Sequence, residues 1–289
     1  MISNDISPLP DTEVHYLPSE HVGDEFKILV GHPHASDTAP PSVLFMGDPW
    51  ANFGTAVEIT RLLNFSGDLP PLLVVAVGYR AVTIEENVAI RGRDFTPTVD
   101  RTQTWGEPGM MGGASRFLAF LRDELKPWVR DRYRVDPDDC ALFGDSLGGL
   151  FATYVLLNEP ATFRRYGIGS PTLDWDKGLM FDQEAAYART HDDLPAKVFF
   201  SVGANESSEG EKRGREQLPA DRRAKAETQA EGEAPYDMVA DVERMVAALR
   251  GRGYPGLQIG CEVLPGEYHQ TAPPLNLSRS LRYLFDAPR

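Results

Sequence analysis

Short apolar runs bounded by turn residues alternate along this chain with stretches of helical period. Thr12 to Leu17 and Phe26 to Val30 read as an antiparallel strand pair, separated by the turn-rich segment Pro18 to Asp24. A proline-bearing loop from His32 to Ser42 leads into a buried strand at Val43 to Met46, and Thr55 to Asn64 reads as a helix. Leu72-Leu-Val-Val-Ala-Val77 is apolar throughout, as a central parallel strand covered on both faces should be. Gly78 to Gly113 reads as one long irregular stretch. Ser115 to Tyr133 follows as an amphipathic helix, with a kink or break expected at Pro127.

In the second half, strands are expected at Cys140 to Phe143, Tyr166 to Ser170, Lys197 to Val202 and Leu257 to Leu264. Helices are expected at Leu150 to Leu157, Tyr236 to Arg250 and Asn276 to Phe285. Ser207 to Ala234 is dense in alternating charges, with Leu218 as its one large aliphatic residue, and reads as a solvated insert, either a loop or an exposed helix. Strands alternating with helices predict an α/β protein: one domain over residues 1–289, with a mostly parallel central sheet and helices on both faces. The charged insert, 207–234, precedes the penultimate helix.

The motif that gives this frame a chemistry is Gly144-Asp-Ser-Leu-Gly148, between the strand at Cys140 and the helix at Leu150. A G-x-S-x-G pattern in a strand-turn-helix context predicts a nucleophile elbow, in which a strained serine stands proud of the sheet. The helix that follows aims free N–H groups at a developing oxyanion. A serine needs a base, and the base needs an orienting acid. In elbow hydrolases these follow the serine in the order acid, then histidine. Of the six histidines, only His191 and His269 lie beyond Ser146. His269 follows the last strand, where a loop can carry the imidazole over the elbow, and His191 lies in a polar segment; His269 is therefore the expected base. Glu206 ends the strand before the insert and is the expected acid, with Asp174 and Asp176 as alternatives and Asp237 and Asp241 as helix caps or dipole partners.

Composition narrows the partners. The 289 residues carry a formal net charge of −14, which argues against nucleic acid and anionic membrane surfaces. Only Cys140 and Cys261 occur, without metal-ligand spacing, and both are expected as buried free thiols. The first ten residues lack a basic start and an apolar core, and no stretch is long enough to span a bilayer; the expectation is a cytoplasmic protein without a cofactor, acting on a small-molecule ester. The sequence leaves the oligomeric state open.

Arg93-Asp-Phe-Thr-Pro97, Gly144-Asp-Ser-Leu-Gly-Gly-Leu150, Gly169-Ser-Pro171, Ser201-Val-Gly-Ala-Asn-Glu206 and Gly266-Glu-Tyr-His269 together resemble the esterase D and enterochelin-esterase-like family of α/β hydrolases, over most of the chain. The resemblance implies the α/β-hydrolase fold and a serine carboxylesterase acting through an acyl-enzyme, with Ser146 as nucleophile, His269 as base and Glu206, in its V-G-x-x-E pattern, as acid. Family members cleave siderophore trilactones, acyl-glutathione thioesters and feruloyl or acetyl sugar esters, and related mycolyltransferases pass the acyl group to a sugar. An acyltransferase, or a binding protein on the same fold, is the alternative.

Two departures stand out. Asp145 replaces the family's histidine before the nucleophile, either facing the substrate or turned into a buried hydrogen bond. Gly47-Asp48-Pro49 replaces its L-D-G. Pro49 has no N–H, so the oxyanion donors implied are the backbone N–H groups of Trp50 and Leu147. Arg80, Arg91 and Arg93 crowd the loop after the strand at Leu72. They read either as ion-pair partners of Glu85, Glu86 and Asp94 or as a cationic wall, and Arg91, Arg93 and Asp48 are the candidate substrate contacts.

Overall fold

The computed structural model describes residues 9–33, 40–81, 83–101, 110–216, 219 and 236–285. Its strands are β1 (Thr12–Ser19), β2 (Asp24–Gly31), β3 (Ser42–Met46), β4 (Leu72–Gly78), β5 (Cys140–Asp145), β6 (Arg165–Gly169), β7 (Lys197–Gly203) and β8 (Gln258–Leu264). They form one 8-stranded sheet in the order β1-β2-β4-β3-β5-β6-β7-β8. β1 and β2 pair antiparallel, as do β2 and β4, and every other pairing is parallel.

The apolar central strands feed two cores because successive side chains leave a strand on opposite faces. Val43, Phe45, Leu73, Val75 and Leu142 join one core, and Leu44, Met46, Val74, Ala76 and Phe143 the other. The first is roofed by Phe117, Phe120, Leu150, Phe151, Val242 and Met245. Phe53, Ala56, Val57, Leu277 and Leu281 close the second.

The helix over Trp175–Ala188 was not expected, and three other departures have local causes. The first helix, α1, covers Pro49–Phe65 and so begins six residues before Thr55. Proline at the first helical position has the right φ and lacks an N–H that would have had no acceptor. The stretch from Gly78 to Gly113 is not irregular throughout, because α2 runs from Ile84 to Phe95. Thr83 and Glu86 close a reciprocal capping box at its start. Residues 102–109 of that stretch lie outside the described residues.

No break occurs at Pro127. The helix passes from α3 (Ala114–Ala119) through a π-turn at Phe120–Leu125 into α4 (Lys126–Arg132). Proline cannot bond to the carbonyl four residues back, and its ring crowds that carbonyl. The wider turn, in which the N–H of Lys126 reaches the carbonyl of Leu121, sits directly before the proline.

Beyond β5 come α5 (Leu147–Asn158), α6 (Trp175–Ala188), α7 (Ser208–Glu216), α8 (Met238–Arg252) and α9 (Ala272–Leu284). The start of the charged insert is thus an exposed helix, α7, anchored where the N–H and hydroxyl of Ser208 both bond to Asp237. Residues 217–218 and 220–234 of the insert lie outside the described residues. Cys140 is buried, Cys261 is half-buried, and both thiols are free. Among the described residues no helix is long and apolar enough to cross a membrane.

Candidate active site

β5 leads into α5 through Ser146, whose φ of 61° and ψ of −121° are strained for a residue with a side chain. The turn is pinned from β6: the N–H of Ser146 donates to the Gly169 carbonyl at 3.0 Å, and the N–H of Thr172 donates to the Ser146 carbonyl at 3.3 Å. The glycines around it are not equivalent. A Cβ on Gly144 would fall inside the carbonyl of Gly148, and one on Gly149 would lie 2.7 Å from the Gly169 carbonyl oxygen. By contrast, a Cβ on Gly148 would meet nothing closer than 3.8 Å.

Gly144→Ala is therefore expected to cost at least about 3 kcal/mol, because neither backbone can yield, whereas Gly148→Ala should be within about 1 kcal/mol of wild type. Urea unfolding midpoints measure both. Equal midpoints for the two variants would contradict the steric account of the turn.

The candidate base and acid follow the two strands at the far edge of the sheet. Glu206 closes a short 3-10 turn after β7, and His269 lies in the loop between β8 and α9. His269 Nε2 is 3.1 Å from Ser146 Oγ, and its Nδ1 is 2.6 Å from Glu206 Oε2. The other oxygen, Glu206 Oε1, accepts from the N–H of Gly203 at 2.8 Å and from the Ser170 hydroxyl at 2.6 Å. With Glu206 only 2% exposed, these bonds fix an acceptor facing Nδ1–H, and so leave Nε2 free to accept from the serine. Burial draws the pKa of His269 down, but the hydrogen bond and charge of Glu206, with the charge of Asp145, outweigh it and hold the imidazole above its ordinary value.

The competing candidates lie elsewhere. His191 stacks on Tyr187 with ring centroids 4.0 Å apart, beyond the end of α6. Asp176 accepts from Thr98, Asp237 caps α8 through the N–H of Ala240, and Asp174, pushed up to about 6 by burial and Asp241, is bonded to neither His269 nor Ser146.

On the other side of Ser146, β3 and β5 pair side by side, so α1 and α5 start next to each other at the same end of the sheet. Leu147 opens α5 and Trp50 is the second residue of α1, positions whose N–H groups have no acceptor within a helix. Between them, Asp48 holds a left-handed φ of 49° and grips Arg91 through two hydrogen bonds of 2.9 and 2.7 Å. Both side chains are nearly buried, and Arg91 and Asp48, the candidate substrate contacts, are engaged with each other. Arg93 points away to Asp24 on β2 and to Asp94, and Arg80 pairs with Glu25. Ion pairing thus describes all three arginines, although Asp94 is the one expected acid that takes part in these pairs.

Asp145 is turned into a buried hydrogen bond. Its Oδ1 accepts from Asn276 Nδ2 at 2.7 Å, beneath the elbow. The sequence assigned no site role to Ser170, part of the Gly169-Ser-Pro171 motif, or to Asn276. The signal for Asn276 was present, since Asn276 and Ser280 are polar residues on the buried stripe of α9 formed by Leu277, Leu281 and Leu284.

A family model described as "Putative esterase" matches residues 19–237. The chain belongs to that family. Among its relatives, the ferri-bacillibactin esterase BesA of Bacillus subtilis is 34% identical over 183 residues, 58% of this chain and 61% of that protein. The siderophore triacetylfusarinine C esterase of Aspergillus fumigatus is 30% identical over 203 residues, 65% of this chain and 66% of that protein. The matched segments therefore span less than two thirds of either relative. Among solved structures, the siderophore hydrolase EstB from Aspergillus nidulans superposes with a TM-score of 0.79 at 23% identity, over 99% of both chains. That likeness shows that this member of the esterase family has the α/β-hydrolase fold.

Proposed function

We propose that this protein is a serine carboxylesterase that works through an acyl-enzyme, and that its substrates are the ester bonds of siderophores. The observation that carries the reading is the continuous line Ser146 Oγ, His269 Nε2, His269 Nδ1, Glu206 Oε2, with spacings of 3.1 and 2.6 Å at its two hydrogen bonds. Ser146 attacks the ester carbonyl while His269 takes its proton, and Glu206 holds the imidazole in the tautomer that can accept it. The N–H groups of Leu147 and Trp50 stabilise the oxyanion. The leaving alcohol departs with the proton from His269, and water then releases the acid by the same route.

The substrate class rests on the relatives, named as esterases of ferri-bacillibactin and triacetylfusarinine C. Purified protein offered ferric and iron-free siderophore esters, acyl-glutathione thioesters, feruloyl sugars and short nitrophenyl esters should show kcat/KM at least about tenfold higher on a siderophore than on the thioester or sugar esters. Preference for the thioester or the sugar ester would overturn the substrate class. Transfer of the acyl group to a sugar faster than to water would overturn hydrolysis.

A further inference from the structure

Behind the line from Ser146 to Glu206 lies a second, wholly buried set of polar groups. The Ser170 hydroxyl donates to Glu206 Oε1 at 2.6 Å, Asn276 Nδ2 donates to Ser170 Oγ at 3.0 Å, and the same Nδ2 donates to Asp145 Oδ1 at 2.7 Å. Ser170 and Asn276 are 0% exposed and Asp145 is 8% exposed.

The direction of every bond is fixed by chemistry. Glu206 can only accept, so Ser170 donates to it; the Ser170 oxygen must then accept, which turns the Asn276 amide nitrogen toward it and toward Asp145. The carbonyl oxygen of Asn276 is buried with no partner among the described residues, so all of that amide's hydrogen bonding serves this chain. Ser170 also holds a left-handed φ of 37°, a strained conformation kept by its N–H bond to the Ser201 carbonyl at 2.7 Å.

We propose that Asp145 is a positioning residue for the base: through Asn276 and Ser170 it holds Glu206 in place, and its carboxylate adds a second buried negative charge that strengthens His269 as a proton acceptor. The inference rests on the serine-hydrolase reading above. The charged groups facing Asp145 are His269 from the loop before α9, Glu206 from the end of β7, and the Asp48–Arg91 pair from the starts of α1 and from α2. Burial pushes the Asp145 carboxyl up to about 7, with Glu206 and Asp48 adding to the rise, so its charge appears as the pH passes neutrality.

Asp145→Asn tests this, because asparagine keeps the shape and one oxygen that can accept from Asn276, while it removes the charge and turns the other oxygen into an NH2 donor. The acid limb of kcat/KM against pH should move down by about half a unit or more, and plateau kcat should fall about three- to tenfold with KM held within about twofold. Ser170→Ala, which cuts the chain in its middle, should lower kcat about tenfold, and in that background Asp145→Asn should cost less than it does alone. Should Asp145→Asn fail to fold, Asn276→Leu removes both donors and should likewise lower kcat and move the limb down. A profile that superimposes on wild type for the folded variant would overturn the inference. Ser146→Ala is measured alongside: an active Ser146→Ala would defeat the serine-hydrolase reading itself, whereas a silent Ser146→Ala beside an unshifted Asp145→Asn defeats the role of Asp145 alone.

Discussion

Replacing Ser146 with alanine is expected to lower kcat for ester hydrolysis by about a million-fold, the scale seen when a hydrolase loses its nucleophile. In the proposed mechanism the side chain supplies the attacking oxygen and little else: its Oγ meets His269 Nε2 at 3.1 Å, while the turn is held by the backbone bonds to Gly169, Leu150 and Thr172. Those bonds remain in the variant. Alanine bears the same backbone strain at a φ of 61°, so stability should stay close to wild type. The checks are single-turnover and steady-state rates on a nitrophenyl ester together with a urea unfolding curve. Retention of more than about a tenth of wild-type kcat in a folded protein would remove Ser146 from the chemistry.

The second large effect is at His269. Alanine there removes both the proton acceptor and the group that Glu206 orients, and the loss in kcat is again expected to be about a million-fold. For the intact enzyme the sign of the pH dependence follows from the site. The base must be neutral to accept a proton, and Glu206 and Asp145 hold His269 above the ordinary histidine value against the opposing effect of burial. kcat/KM should therefore rise with pH through a midpoint above about 6.5. The same raised pKa contributes stability that is complete below the unfolded value and lost as pH rises through the folded one. Glu206→Gln, which keeps the shape but can present an N–H to Nδ1, should cost about a hundred- to ten-thousand-fold. His191→Ala should leave rate and profile unchanged. The opposite pattern, with His191→Ala inactive and His269→Ala active, would reassign the base.

What the sequence made legible follows from what each signal depends on. Strands such as Leu72 to Val77 are apolar on both faces, and the elbow pattern is local, so both could be read without knowing the tertiary contacts. The order serine, acid, histidine narrowed the candidates, and positions just after strands singled out Glu206 and His269, which the fold brings into one hydrogen-bonded line with Ser146 across 123 positions. α2 was missed although its Thr83–Glu86 capping box was in plain view, because a long Gly- and Pro-bearing stretch outweighed one local signal. The fate of Arg91 was not legible, since its partner Asp48 lies 43 positions away and becomes a neighbour only when α2 folds against the start of α1. Asn276, 131 positions from Asp145, was hidden for the same reason, and only the break it makes in an apolar stripe pointed to it.

If Ser146 carries the acyl group, an active-site phosphonylating reagent must attach there. A fluorophosphonate reacts with a serine whose proton is removed by a base and whose developing oxyanion is stabilised, so it reports the assembled site and not a serine as such. Peptide mapping by mass spectrometry should show one phosphonyl group per chain, on the peptide containing Ser146, with loss of esterase activity in step with labelling and no labelling of His269→Ala. Complete loss of activity with the label on another residue, or full activity in a protein labelled at Ser146, would contradict the account.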